Sequence, residues 1–309
     1  MDIRNIVIIG SGLIGKGLAL VYSACKDVSI TLYDIKDEGV IDAVLKNMRQ
    51  LEAHGILSAA EIEDRMSRIS FTTDFDAPCF AKADFVAEAV FEEMKLKQDL
   101  FVQLEAKCRK DAIFATNTSV MSITEISSKI EHRERLVGTH FWNPAHLIPL
   151  VEVVKSDYTS DEVAQFALNL LNRCGKVAVI CKKDVPGFIG NRMQHALWRE
   201  AIWLLENDVA DIETIDKTVK YSFGLRLPQL GPMENIDMVG ADLVCNIHEY
   251  LFPHISDTHK ASPILQELRA KGKLGFKAGG DGLQQWTPEQ IEKSRKDLNE
   301  YLIKMIYNK

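Results

Sequence analysis

Near its N-terminus the chain reads Ile6-Val7-Ile8-Ile9-Gly10-Ser11-Gly12-Leu13-Ile14-Gly15, an apolar run that leads directly into the pattern G-x-G-x-x-G. We expect Gly10 to allow a sharp turn, Gly12 to let the backbone approach a pyrophosphate, and Gly15 to bring the following helix close to the sheet. The N–H groups of that helix, and the positive end of its dipole, would face the phosphates. The segment therefore predicts a strand–turn–helix unit that binds a dinucleotide, with Leu13 and Ile14 among the contacts.

The residues after the glycine turn support this interpretation. Leu13 to Ala24 carries apolar residues at helical spacing, and Val28 to Tyr33 is typical of a second strand that ends in Asp34. Asp34 comes 24 residues after Gly10, where a carboxylate accepts both ribose hydroxyls of NAD and repels the 2′-phosphate of NADP. We therefore predict NAD as the cofactor, with NADP left as an alternative because Lys36 follows two residues later.

The composition argues against several classes of function. A chain of 309 residues with 46% hydrophobic and 26% charged residues is typical of a soluble protein of about two domains. A net charge of −7 argues against a nucleic-acid partner. No apolar run approaches the ~20 residues of a membrane span. The chain enters a strand by Ile3, which leaves no room for a targeting peptide, so we expect a cytoplasmic protein.

The spacing of the cysteines is not that of a metal-binding or disulfide motif. None of them forms a C-x-x-C pair, so we expect neither a zinc site nor a disulfide framework, and we predict reduced thiols and no metal. The six residues are Cys25, Cys79, Cys108, Cys174, Cys181 and Cys245.

The order of the elements predicts the architecture. Strand and helix signals alternate through roughly the first 180 residues, which predicts a Rossmann-type, doubly wound, mostly parallel sheet with its ligands at the carboxyl ends of the strands. Beyond Val185-Pro186-Gly187 only helical spacing follows. We predict an NAD-binding domain over 1–184 and an all-helical domain over 185–309, which would bind substrate and form a homodimer. The helices expected there are about Phe188–Asn207, Ile212–Ser222, Met233–Leu251, Pro263–Lys271 and Pro288–Tyr307.

Several polar segments lie where loops should leave the strands. Taken singly, Ser119 is compatible with a turn residue and His140 with a packed histidine. Glu152 is harder to explain, because an unpaired buried carboxylate is costly, and His140 would supply its partner if the fold brings the two strands together. The segments are Asn117-Thr118-Ser119, His140-Phe141-Trp142-Asn143-Pro144, Leu150-Val151-Glu152-Val153 and Pro186-Gly187-Phe188-Ile189-Gly190-Asn191-Arg192.

Together with the glycine turn and Asp34, these segments resemble the 3-hydroxyacyl-CoA dehydrogenase family over essentially the whole chain. The spacings also fit, with 21 residues from Ser119 to His140 and 12 from His140 to Glu152. Two later segments match as well, namely Gly231-Pro232-Met233-Glu234 and Gly272-Lys273-Leu274-Gly275-Phe276-Lys277.

The resemblance implies a reaction and a set of catalytic residues. The chain would oxidise an L-3-hydroxyacyl-CoA, of short chain length, to the 3-oxoacyl compound with NAD. His140 would be the general base, and Glu152 would hold its imidazole in the working tautomer. Ser119 and Asn191 would hydrogen-bond the substrate oxygens.

The resemblance also implies the cofactor contacts. Glu92 and Lys97 match residues at the nicotinamide half, Asn117 belongs to the same group, and Lys277 matches a lysine that reaches NAD from the second domain. From the residues alone, Glu92 and Lys97 would be interpreted as a solvated helical pair.

The sequence departs from the family mainly where the substrate would bind. The stretch 50–57 has no lysine, whereas short-chain acyl-CoA members carry a lysine cluster there for the CoA nucleotide. The run Ile148-Pro149-Leu150-Val151-Glu152 resembles relatives that act on free 3-hydroxy acids, such as gulonate and carnitine dehydrogenases. A free-acid dehydrogenase therefore stays open, as does a non-catalytic, crystallin-like protein. His146 would either line the acyl pocket or pack on its loop, and we favour packing.

Overall fold

The computed structural model describes residues 3–307, and the chain forms two compact units. The first comprises Met1–Asn191 with Arg295–Lys309, and the second comprises Arg192–Ser294. The sequence prediction instead placed the join at 184/185 and gave the whole C-terminal segment to the helical domain. The difference arises because Ile303 in the last helix is buried in the core of the first unit. A helical pattern shows which face of a helix is apolar, but not which core covers that face.

The first unit is built on one eight-stranded sheet in the order β3-β2-β1-β4-β5-β6-β7-β8. All neighbouring strands are parallel except β6 and β7, which are antiparallel. The order of the first six strands is that of a dinucleotide-binding fold, so the predicted doubly wound, mostly parallel sheet is confirmed. The strands are β1 Asn5–Ile9, β2 Ser29–Tyr33, β3 Ile69–Thr72, β4 Phe85–Glu88, β5 Ile113–Thr116, β6 Leu136–Phe141, β7 Leu150–Val154 and β8 Val177–Cys181.

Helices cover both faces of this sheet. Alternate residues of β1 belong to different hydrophobic clusters, Ile6 and Ile8 to one and Val7 and Ile9 to the other, because successive side chains of a strand point to opposite faces. The helices α4 and α6 were not predicted, since four or five residues are too few to show a helical period. The helices are α1 Leu13–Tyr22, α2 Val40–Ala53, α3 Ala59–Ser67, α4 Pro78–Lys82, α5 Met94–Lys107, α6 Ile123–Ile126 and α7 Asp161–Arg173.

The second unit is helical, as predicted. The expected helix Met233–Leu251 is broken at Gly240, whose φ of 94° does not belong to a right-handed helix. The C-terminal helices are α8 Gly190–Glu206, whose first two residues belong to the first unit, α9 Ile212–Tyr221, α10 Phe223–Arg226, α11 Pro232–Val239, α12 Ala241–Leu251, α13 Pro263–Ala270 and α14 Pro288–Tyr307, which belongs to the first unit from Arg295 onward. Within residues 3–307, no helix is both long enough and apolar enough to cross a membrane.

Candidate active site

The glycine turn connects β1 to α1. Gly10 has a φ of 94°, and its amide donates to Tyr33 O at 2.9 Å. A Cβ would lie 2.5 Å from Ala89 O at Gly10 and 1.8 Å from Gly10 O at Gly15, so neither position has room for a side chain. Gly12, by contrast, has no atom within 4 Å of a Cβ position. No side chain caps the start of α1, so its amides adjoin open space, and this arrangement fits a pyrophosphate.

Asp34 follows β2 and contacts the same turn. Its Oδ2 accepts hydrogen bonds from the backbone N and the Oγ of Ser11, both at 2.7 Å, and its Oδ1 accepts one from Ile35 N at 2.7 Å. Partial burial acts to raise the pKa of Asp34, but these hydrogen bonds outweigh it and lower the pKa below the usual value. Asp34 is therefore an anion at neutral pH.

A cleft of about 870 Å³ opens at the carboxyl ends of β1, β2 and β4. This volume lies within the range of cofactor sites. Gly10, Gly12 and Asp34 line the cleft, as do two exposed apolar side chains, Ile35 and Phe91, which suit the flat face of a ring. The cleft lies within the first unit and fits a dinucleotide.

We expect Asp34 to make the protein prefer NADH to NADPH. The anion accepts hydrogen bonds from ribose hydroxyls but repels a 2′-phosphate, which should favour NADH by roughly 10- to 100-fold in Kd. Titrations of both cofactors by protein fluorescence measure this ratio. The variant Asp34→Asn keeps the shape of the side chain but removes its charge, and it should reduce the preference for NADH over NADPH. Equal affinity in the unaltered protein would mean that Lys16 and Lys36, which also line the cleft, cancel the charge of Asp34.

Lys97 on α5 is buried, so the interpretation as a solvated helical pair is wrong for this residue. Its side chain is 1% exposed, and its Nζ donates to Glu88 Oε1 at 2.6 Å. Glu88 ends β4, and its Oε2 accepts a hydrogen bond from Thr116 Oγ1 on β5 at 2.6 Å. Sequence reasoning missed Glu88 and Thr116. The sequence signal for Glu88 was an acidic residue at the end of an apolar strand. A carboxylate in such a position is costly to bury without a partner.

Glu92 holds the loop that follows β5. Its Oε1 accepts hydrogen bonds from Thr118 Oγ1 at 2.6 Å and from Ser119 N at 2.9 Å. Its Oε2 lies 3.5 Å from Lys97 Nζ. Burial acts to raise the pKa of Glu92, but the hydrogen bonds and the ammonium lower it below the usual value. Glu92 therefore fixes the backbone that carries Ser119.

Two asparagines brace neighbouring loops. Asn117 Oδ1 accepts a hydrogen bond from Phe141 N at 2.8 Å, which links the ends of β5 and β6. Asn191 Nδ2 donates to Ser119 O at 2.9 Å. Each amide therefore has one end committed to the protein, which fixes its orientation.

His140 and Glu152 are directly opposite each other in the antiparallel pair β6 and β7. His140 Nδ1 lies 2.8 Å from Glu152 Oε2, and the two residues are 3% and 0% exposed. The rings of Trp142 and Phe188 flank the imidazole at centroid distances of 5.3 and 5.6 Å. Because a carboxylate can only accept, the neutral imidazole carries its hydrogen on Nδ1 and its lone pair on Nε2.

The other oxygen of Glu152 is bound by backbone amides at the start of α8. Glu152 Oε1 accepts hydrogen bonds from Ile189 N at 2.8 Å and Gly190 N at 3.0 Å. Phe188 has a φ of 50° and reverses the chain just before them. Burial acts to raise the pKa of Glu152, but the bond from His140 and the two amides lower it below the usual value. The buried carboxylate is therefore ionised.

These contacts bring the four predicted catalytic residues together within the first unit. Glu152 connects His140 to the amide of Gly190, and the next residue, Asn191, is bonded to Ser119. These contacts lie near the carboxyl end of β6, which carries His140.

The other predicted cofactor residues differ in their exposure and position. Leu13 is 66% exposed at the start of α1, whereas Ile14 is partly buried and packs against the core. Lys277 lies in a 3-10 helix, Gly275–Ala278, of the second unit, and its contact with NAD stays a prediction.

His146 lies in the loop between β6 and β7. Its Nε2 is buried and has no hydrogen-bond partner among the described residues. Burial, and then the charge of Lys176, lower its pKa to about 4. The imidazole of His146 is therefore neutral at pH 7, and its packing role stays a prediction.

A dinucleotide cleft in the same unit as a buried His–Glu pair is the arrangement of a nicotinamide-dependent dehydrogenase. Comparison with known families narrows this class. The 3-hydroxyacyl-CoA dehydrogenase NAD binding domain matches residues 5–185, and the C-terminal domain of the same family matches residues 187–285. The chain therefore belongs to the 3-hydroxyacyl-CoA dehydrogenase family, and NAD is its cofactor, as predicted.

The similar proteins include both CoA and non-CoA enzymes. The chain is 33% identical to 5-formyl-3-hydroxy-2-methylpyridine 4-carboxylate 5-dehydrogenase of Mesorhizobium japonicum, over 94% of this chain and 93% of the relative. It is 35% identical to a probable 3-hydroxybutyryl-CoA dehydrogenase of Deinococcus radiodurans, over 88% and 96%. A solved structure of the pyridine-carboxylate type, described as an NAD+-dependent dismutase, covers 99% of both chains with a TM-score of 0.88 and 32% identity.

Proposed function

We propose that this chain oxidises a short-chain L-3-hydroxyacyl-CoA to the 3-oxoacyl-CoA. The observation that carries the proposal is the buried 2.8 Å contact between His140 Nδ1 and Glu152 Oε2. A fixed base in the same unit as a dinucleotide cleft can remove the proton of a hydroxyl group as the hydride leaves the same carbon.

The residues that would hold NAD follow from the cleft. The amides near Gly12 would bind the pyrophosphate, and Asp34 would accept hydrogen bonds from the ribose. Glu92, Lys97 and Asn117 would border the nicotinamide half. When bound, NAD supplies a ring that accepts the hydride.

His140 would take the proton through Nε2, which is the atom left with a lone pair when Nδ1 faces Glu152. The ionised Glu152 would then stabilise the imidazolium that forms. Ser119 and Asn191 would hydrogen-bond the reacting hydroxyl and the neighbouring carbonyl of the substrate. Their bond to each other and the bond from Ser119 N to Glu92 support this role, because they hold both residues in one geometry.

A second candidate is the oxidation of a free carboxylate without CoA. One relative, matched over 94% of this chain and 93% of its own length, has a name that gives a pyridine carboxylate as its substrate. In addition, residues 50–57 lack lysine, and the nearby Arg49 is paired with Glu52 at 2.7 Å. Few cations are thus available there for the phosphates of CoA.

Acetoacetyl-CoA and free acetoacetate, each offered with NADH, separate the two candidates. We expect kcat/KM, followed by NADH absorbance, to be roughly 100-fold or more higher for the thioester. The opposite preference would favour the free acid. If NADH binds but neither substrate is reduced, the dehydrogenase proposal fails, and a crystallin-like role is favoured instead.

We further propose that the protein is a homodimer through its second unit. This unit exposes large apolar side chains in the single chain, among them Tyr221, Leu225, Met238 and Tyr250 at 72–79%. Apolar surface of this extent commonly pairs with a second copy. Light scattering should give twice the mass of 34.8 kDa, and a monomer at micromolar concentration would contradict the proposal.

A further inference from the structure

Two cysteines that are far apart in sequence meet away from the glycine turn. Cys25 lies in the turn between α1 and β2, and Cys174 is the residue at the C-terminal end of α7. Their Sγ atoms are 3.0 Å apart although 149 residues separate them. This distance is only about 1 Å longer than a disulfide bond. A small movement of either turn would therefore allow the bond to form.

The surroundings of the pair distinguish the two thiols. Arg173 Nε donates to Cys25 Sγ at 3.4 Å, and the same guanidinium is held by Asp27 at 3.0 Å. The hydrogen bond from Cys174, followed by Arg173, lowers the pKa of Cys25 to about 6 against the effect of burial. The hydrogen bond to Cys25, together with burial, raises the pKa of Cys174. Cys25 is therefore the thiolate of the pair and Cys174 the thiol.

We propose that Cys25 and Cys174 form a reversible intramolecular disulfide when the protein meets hydrogen peroxide. The two residues are 3% and 7% exposed, so a small oxidant is the class of reagent that can reach them. Both lie in the first unit, which the cross-link would tie between the α1–β2 turn and the end of α7. This reaction is independent of the dehydrogenase activity.

The chemistry balances with peroxide as the oxidant. The Cys25 thiolate attacks one peroxide oxygen, the O–O bond breaks, and hydroxide leaves, so that Cys25 becomes a sulfenic acid. Cys174 then attacks the Cys25 sulfur, the S–O bond breaks, and a second hydroxide leaves. The proton of the Cys174 thiol converts one hydroxide to water, and the proton that Cys25 released to solvent when it ionised converts the other. Two thiols are oxidised and one peroxide is reduced to two waters, and a dithiol reagent reverses the change.

The disulfide should stabilise the protein, because it closes a very long loop. A cross-link that spans 149 positions restricts the unfolded chain strongly, and we expect it to raise Tm by roughly 5–10 °C. The other four cysteines have no such neighbour in sulfur contact among the described residues, and Cys245 is exposed, which makes it the control position.

The test treats the full chain with hydrogen peroxide and follows free thiols, peptide masses and Tm. We expect the six thiols to fall to four, a Cys25–Cys174 peptide to appear, and Tm to rise reversibly. Cys245→Ser should lose two thiols in the same way. Cys25→Ser and Cys174→Ser should show no rise in Tm, and in Cys174→Ser dimedone should trap a sulfenic acid at Cys25.

Three results would overturn the proposal. The first is a treated protein in which Cys25 and Cys174 both remain free thiols while Cys245 reacts. The second is a linkage between other cysteines, and the third is a Tm rise that persists in Cys25→Ser. If dimedone labels Cys174 instead of Cys25 in the respective single variants, the order of attack is reversed and the assignment of the thiolate is wrong.

Discussion

Replacing His140 with alanine is expected to lower turnover by roughly 10²–10⁴-fold and to leave NADH affinity unchanged, because the variant lacks a general base but keeps the cofactor cleft. His140 lines none of that cleft. The rate of NADH consumption, followed by absorbance, measures turnover, and fluorescence titration measures the affinity for NADH. Because alanine leaves a cavity beside a buried carboxylate, His140→Gln is the second variant, with a side chain that fills more of the space.

A change at Glu152 should also remove the base. In Glu152→Gln the amide oxygen must serve the backbone N–H groups of Ile189 and Gly190, since these can only donate. The amide NH₂ group then faces His140 Nδ1 and donates to it, which moves the imidazole hydrogen to Nε2. The base is lost although the histidine is present. Turnover should fall about as far as in the His140 variants.

A histidine outside the His140–Glu152 pair provides the control. The side chain of His132 is 45% exposed and precedes the amino end of β6, so His132→Gln should behave as the unaltered protein. If His140→Gln keeps its fold, binds NADH and still turns over substrate at the original rate, another residue is the base. If turnover and NADH affinity fall together in both variants, the pair has a structural role rather than a chemical one.

Local features of this protein could be predicted from sequence because they depend on neighbouring residues. The glycine turn is one of them, since the clash at Gly15 is with the carbonyl oxygen of Gly10 in the same strand–turn–helix unit. The length of α7 is another, because Ser160 caps its start by accepting from Val163 N and Gly175 follows its end with a φ of 80°.

Features that depend on strand neighbours could not be predicted from the residues alone. The pairing of His140 with Glu152 requires β6 and β7 to be antiparallel and in one register, whereas the residue pattern of either strand is the same in many registers. The family resemblance, not the pattern, placed the two side chains together. The Glu88–Lys97 ion pair was missed for the same reason, since α5 reveals its packing partner only in the folded unit.

Alanine substitutions at Gly12 and Gly15 should separate cofactor binding from stability. Gly12 has a φ of −64° and open space around its Cβ position, so Gly12→Ala should fold with a Tm within about 1 °C of the original. The added methyl group would occupy the space of the pyrophosphate, and NADH affinity should fall on the order of 100-fold. At Gly15 the methyl group would meet Gly10 O at 1.8 Å, so the turn must move.

We therefore expect Gly15→Ala to lower Tm by roughly 4–10 °C, because overpacking against backbone cannot be relieved by a rotamer change. Calorimetry and NADH titration of the two variants measure both quantities. A Gly12→Ala protein that binds NADH normally would show that the pyrophosphate lies elsewhere. A Gly12→Ala protein as unstable as Gly15→Ala would show that the space in front of α1 is already filled by the fold. Either outcome would remove the cofactor from the glycine turn, since its place there depends on that space being open and on the amides of α1 being free to bind phosphate.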